Sequence, residues 1–211
     1  MDSRKHFGLL TLVLAAVLAF YGRPVDACMC MPEHPQTHFA RADYVVQLRV
    51  FRKSETIEPN RTTYKVSIKR TYKATPEARR MLRDGRLSTP RNDAMCGGVR
   101  LELGKVYIIA GRLPTLNICA YYKEYTKMSI TERHGFGGGY AKGANCTVHP
   151  CFGQQCFRFP TYADGCKWST QAKCETDYSA CMPHRRQTPN GVISRCGWRR
   201  TQLYRKCLSN P

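Results

Sequence analysis

The sequence predicts a mainly β protein with short helices: a small five-stranded closed barrel followed by a disulfide-rich C-terminal domain. Three observations carry this expectation. Strand-like patterns recur between residues 43 and 123. Eight of the 12 cysteines crowd into Cys146 to Cys207. Between the two regions, "GFGGGYAKGANC" places Gly135, Gly137, Gly138, Gly139 and Gly143 in what reads as a flexible junction.

Taken in order, Met1 to Ala27 reads as a signal peptide, 1–27: Arg4 and Lys5 precede the apolar run "FGLLTLVLAAVLAF", and Val25-Asp26-Ala27 fits the small-residue cleavage pattern. The run has 14 residues, short of the roughly 20 that cross a bilayer. No second apolar segment follows, so the reading is a secreted product with no membrane span, 184 residues long and beginning at Cys28. "PQTHFARA" reads as a short helix and "DYVVQLRV" as a strand. "TTYKVSIKRTY" alternates, with Tyr64, Val66 and Ile68 on one face and Lys65, Ser67 and Lys69 on the other, as in a half-buried strand. In "ATPEARRMLRDG", Thr75 is a candidate N-cap, Pro76 the first helical residue and Gly85 the stop. "VRLEL", "KVYIIAGRL" and "NICAYYK" complete five strands, and five strands with helical insertions predict a small closed barrel. The domain boundaries are 28–143 for the barrel and 144–211 for the cysteine-rich part.

Twelve cysteines in a secreted chain read as six disulfides. Zinc ligation fits poorly, because "CMC" is a C-x-C spacing with no second matching pair. Enzyme classes also fit poorly: G-x-S-x-G and H-E-x-x-H are absent, the six histidines are scattered, and an even cysteine count leaves no spare thiol. Removing the leader leaves 31 basic against 13 acidic residues, a net charge of +18. In an extracellular setting such a field meets sulfated glycosaminoglycan and extracellular matrix rather than nucleic acid. Asn60-Arg61-Thr62 is a glycosylation sequon; Asn145-Cys146-Thr147 is formally another, which a bridged Cys146 would hinder.

The chemistry concentrates in the terminal stretch "CMCMPEHPQ". An α-amine has a reference pKa of about 7.7 to 8.0, so part of it is neutral and able to bind metal at physiological pH. The amine and carbonyl of Cys28 would form a five-membered chelate. Anchored through the side chains of Cys28 and Cys30, this segment would be a rigid blade able to cap the open position of a protease's catalytic zinc.

At these residues the chain resembles the tissue inhibitors of metalloproteinases, whose mature chains begin C-x-C followed by a proline and H-P-Q. The resemblance spans the mature chain through "YKVSIKRTYK", "MCGG", "GKVYIIAGRL", "ICAYY", "CTVHPCFGQQC", "CKW" and "ACMPHRR" ahead of "RCGW". It implies an N-terminal OB-type (netrin-like) inhibitory barrel and a small C-terminal disulfide domain. It also implies bridges of Cys28 to Cys96, Cys30 to Cys119, Cys146 to Cys196, Cys151 to Cys156, and Cys166 to Cys181; Cys174 and Cys207, without family counterparts, are then expected to pair. The implied contacts put Ala94 and Met95 on the unprimed side of the protease cleft, with Cys96 beside them as a further contact. Met29 would enter the specificity pocket, and Cys30, Met31 and Pro32 would run along the primed side. The implied partners are secreted and membrane-tethered zinc metalloproteinases of matrix and disintegrin types. The protein has no cofactor of its own on this reading and meets only its target's zinc. Vertebrate members carry a further bridge between domains, at positions that here are Ala40 and Gly143.

Two other readings compete. A non-inhibitory netrin-like module would bind matrix or a receptor and needs no free terminus. A heparin-binding signalling factor rests on charge alone and leaves "CMC" unexplained.

Overall fold

The computed structural model describes residues 30–54, 60–91, 97–113, 116–153, 156, 164–170, 173–188 and 191–209. Strands β1 (Tyr44–Ser54), β2 (Arg61–Ala74), β3 (Arg86–Pro90), β4 (Val106–Gly111) and β5 (Tyr121–Glu124) form an antiparallel sheet in the order β3-β2-β1-β4-β5. Alternation along the central strands sorts side chains into two cores. Tyr44, Val46, Leu48 and Val50 pack with Tyr64, Val66, Tyr107 and Ile109 inside the sheet's curl. Val45, Ile108 and Ala110 pack instead with Phe39, Phe136 and Tyr140.

Register shifts between β1 and β2 at Val45/Val46, Gln47/Leu48 and Val50/Arg52 bend this long pair. The outer strands approach each other where Leu116 N donates to Ser88 O of β3 at 3.0 Å and Gly98 bridges Asn117. Strand order and this partial closure are those of a five-stranded OB-type barrel.

Three local readings need correction. "VRLEL" is not a strand: the third strand is Arg86–Pro90. Val99 and Leu101 are buried all the same. Side-chain hydroxyls satisfy that segment's backbone: Val99 N donates to Thr89 Oγ1 at 2.8 Å, Leu101 N to Tyr64 Oη at 3.2 Å and Glu102 N to Tyr107 Oη at 3.1 Å. In "NICAYYK" only the end is strand, beginning at Tyr121. The glycine-rich stretch is helical on either side of a kink rather than a loose junction. A capping box at Ser129 and Glu132 starts the Ile130–His134 helix, helical turns continue into Gly135–Gly139 and break at Gly138 (φ 123°, ψ −9°), and Tyr140–Lys142 follows. Gly135 is required by packing, since a Cβ there would sit 2.3 Å from the Tyr140 ring.

The helix Pro76–Leu82 is capped by Thr75, whose hydroxyl accepts from Ala78 N. Gly85 follows at φ +60°, and a Cβ there would lie 2.6 Å from Val66 O.

The C-terminal part pairs β6 (Thr147–Cys151) in parallel with β7 (Gly165–Ser169), and β8 (Cys181–Thr188) with β9 (Gly191–Trp198) in antiparallel. Its core is built on Cys146, Val148, Cys166, Trp168 and Cys181. Disulfides join Cys146 to Cys196, Cys151 to Cys156, Cys166 to Cys181, and Cys174 to Cys207. The last ties the Lys173–Tyr178 helix to the Gln202–Ser209 helix. Among the described residues, no helix is long and apolar enough to cross a membrane.

Polar side chains knit the barrel to this part. Gln36, 3% exposed, donates from Nε2 to Cys181 O at 2.9 Å and Gly143 O at 3.2 Å, and its Oε1 accepts from Cys181 N at 2.8 Å. His34, fully buried, packs against Trp168, Trp198 and Tyr140. Its Nδ1 accepts from Gln36 N, which leaves Nε2–H to donate to Glu175 O at 3.2 Å. Burial pulls the His34 pKa down to about 4, so the ring is neutral near pH 7. Glu132, also buried, accepts from Lys123 Nζ at 2.9 and 3.0 Å, and Lys123 lies 3.7 Å from Asp177 across the boundary.

Candidate functional site

The site is assembled where three segments of chain meet. Cys30 is bonded to Cys119, with Cα atoms 5.2 Å apart. Cys119 N donates to Asn117 Oδ1 at 3.1 Å, and Asn117 bridges Gly98. Gly98 itself lies so close to the end of β3 that a Cβ would approach Pro90 O to 2.2 Å. The chain that leaves β3 at Arg91 is therefore back beside Pro90 at Gly98, next to the turn of residues 117–119 that precedes β5.

From this anchor Met31 and Pro32 project outward; Met31 is 61% exposed. The chain enters the Pro35–Arg41 helix directly afterwards because His34, extended at φ −66° and ψ 145°, caps Gln36 N and Pro35 starts the first turn. Residues 30–34 thus run from the disulfide at Cys30 straight into a capped helix.

Behind it lies a cleft of about 490 Å³ lined by Cys30, Met31, Glu33, His38, Arg41, Arg112 and Cys119 among others. Glu33 pairs with Arg41 and stands 3.7 Å from His38 Nδ1. Burial lowers the His38 pKa, Glu33 opposes the shift, and Arg112 and Arg41 add to it. This leaves a small polar rim beside an apolar, projecting tip, an arrangement suited to docking against another surface. Among the described residues no cysteine is free, and no three His, Cys, Asp or Glu side chains converge to hold a metal.

Of the sequence-derived site residues, Cys30, Met31 and Pro32 come together here. Cys28, Met29, Ala94, Met95 and Cys96 lie outside the described residues, as does the pairing of Cys28 with Cys96. Asn60 is exposed in a turn at φ +70°, its carbonyl accepting from Arg91 N at 2.8 Å. The other sequon falls on Cys146, bonded to Cys196. Sequence reading missed the roles of His34 and Gln36. Their signal was two polar residues flanking the proline that opens the helix.

A disulfide-braced OB-type barrel that displays a tethered apolar tip has the build of an inhibitor or binding module that docks on another protein. Comparison with known proteins sharpens that class. Residues 26–198 match the family described as tissue inhibitor of metalloproteinase. A Drosophila melanogaster protein named tissue inhibitor of metalloproteinase is 79% identical over 211 residues, all of both chains. Metalloproteinase inhibitor 3 of Xenopus laevis is 29% identical over 168 residues, covering 76% of this chain and 77% of its own. Metalloproteinase inhibitor 2 of Rattus norvegicus is 28% identical over 170 residues, 75% of this chain and 74% of its own. The chain belongs to the tissue inhibitor of metalloproteinase family, a family of protease inhibitors rather than enzymes.

Proposed function

We propose that this chain is a secreted inhibitor of zinc metalloproteinases of the matrix and disintegrin types. Residues 28–143 form the inhibitory unit and 144–211 the supporting one. Cys28 chelates the target's zinc through its α-amine and carbonyl, Met29 fills the specificity pocket, and Met31 and Pro32 lie along the primed side. Ala94 and Met95, joined through Cys96 to Cys28, lie on the unprimed side. The single observation that supports this most is the exposed Met31-Pro32 segment. It is held by Cys30–Cys119 beside the return of the chain at Gly98, in a chain whose relatives are named for metalloproteinase inhibition. The net charge adds a second role, retention on sulfated matrix, and Asn60 carries a glycan on this reading.

Titrating the mature protein against several matrix and disintegrin-type metalloproteinases tests it. Stoichiometric, reversible loss of activity is expected for at least one. Inhibition of none, by correctly folded protein, would leave the netrin-like binding module.

A further inference from the structure

We propose that the cleft between Arg70, Arg133, Lys142 and Arg199 is a specific binding site for the sulfate esters of a polysaccharide, bridging the barrel and the C-terminal part. The inference rests on the matrix-retention reading above and gives it an address. The cleft holds about 430 Å³, also touches His134, and has no carboxylate among its described lining residues. Cations gathered without counter-charges repel one another, so their convergence marks a place where an anion gains.

Two features show that the site is built rather than merely charged. The first is orientation of the guanidinium groups. Arg133 stacks over Tyr125 with its Cζ 4.5 Å from the ring centroid, and Arg70 stands 5.1 Å over Tyr72. Arg133 Nη2 donates to Thr126 O, an exposed bond that fixes the outer edge of the guanidinium beside the cleft. A guanidinium held flat by stacking keeps its remaining terminal N–H groups oriented for a sulfate oxygen.

The second is the floor of the cleft. Gly138 sits at φ +123°, and no atom lies within 4 Å of where a Cβ would be at Gly137 or Gly138. Bare backbone there admits a close approach by the ligand. Arg199 follows β9 and is fixed by its backbone N–H to Ala180 O at 2.8 Å, whereas the other cations belong to β2 and the helical stretch. An anion held by both groups therefore spans the boundary between the two parts.

The test compares two triple variants of the full mature protein, each losing three exposed cations: Arg70→Ala/Lys142→Ala/Arg199→Ala in the cleft, and Arg52→Ala/Arg83→Ala/Arg100→Ala away from it. Binding of a size-defined heparin octasaccharide is measured across a salt series. The cleft variant should lose roughly 1 unit of the log K against log salt slope per lost contact, the control much less. The octasaccharide should also raise the melting temperature of the wild type and not that of the cleft variant. Equal losses in the two variants would overturn the cleft and leave diffuse charge. No binding by the wild type would overturn the matrix reading as well. Stabilisation by inorganic sulfate, matched against chloride at equal ionic strength, with octasaccharide binding unaffected in the cleft variant, would assign the cleft to a free ion and overturn the polysaccharide ligand.

Discussion

Replacing Gln36 by leucine keeps the side-chain volume near that of glutamine but deletes three hydrogen bonds that join residues 107 and 145 positions apart. Gly143 O retains a second donor, Cys146 N at 2.9 Å. Cys181 N–H and C=O lose the amide that serves them in a buried setting. An orphaned buried backbone group costs about 1 to 3 kcal/mol, so the expected loss is about 2 to 4 kcal/mol, a large share of a domain's ordinary 5 to 15 kcal/mol. It should fall on the docking of the two parts, because Gln36 touches both. Urea unfolding with disulfides intact, together with hydrogen exchange at the Cys181 amide, measures it. The midpoint should drop and the Cys181 amide should exchange faster, with barrel amides such as Val46 far less affected. A midpoint within about 0.3 kcal/mol of wild type, or exchange accelerated only inside the barrel, would refute the reasoning. The same glutamine explains how the parts stay together where relatives are expected to use a disulfide at Ala40 and Gly143: the Gly143 carbonyl is held by an amide instead.

The remaining expectations are narrower. His34 has a folded pKa near 4 against 6.5 unfolded. The unfolded chain therefore binds the proton first, and stability should be complete above pH 6.5 and fall by up to about 3 kcal/mol as pH drops towards 4. Urea midpoints across that range check it, and His34→Gln should flatten the dependence. Met31→Ala should leave the melting temperature nearly unchanged, within about 0.5 kcal/mol, because the side chain is 61% exposed. It should weaken inhibition all the same; a large stability loss with intact inhibition would make Met31 a packing residue. Gly85→Ala must place a Cβ against Val66 O at φ +60°. A loss of about 1 to 3 kcal/mol is expected, and an unchanged thermal melt would contradict it.

Much of the barrel was legible because its strands obey a simple period. Tyr64 and Val66 are buried and Lys65 between them is exposed, as the alternation requires. Thr75, Pro76 and Gly85 mark their helix with residues whose roles are local. β3 was not legible: Arg86–Pro90 offers one apolar residue, Leu87, and its buried Thr89 looks polar in sequence while its hydroxyl serves Val99 N. The converse error arose at Val99 and Leu101, where alternation reported burial correctly but ladder pairing wrongly, since hydroxyls of Tyr64 and Thr89 replace a partner strand. Gly135, Gly137, Gly138 and Gly139 looked loose because composition does not reveal that Gly135 makes room for Tyr140. At the candidate site the anchor Cys30 and the exposed Met31 could be read from "CMCMP". The buried work of His34 and Gln36 could not, because their partners, Glu175 and Cys181, lie more than a hundred residues away.

Inhibition through the terminus, as proposed, requires a free α-amine on Cys28, and adding a single alanine before it is the most direct measurement. The extension preserves both cysteines and the charge balance, but turns the amine proposed to bind zinc into an amide and, on the same proposal, pushes a peptide towards the metal. Native and Ala-extended proteins, shown by circular dichroism to be equally folded, are titrated side by side against one susceptible metalloproteinase. Near-complete loss of inhibition by the extended form is the expected result. Equal potency of the two would contradict chelation through the terminus.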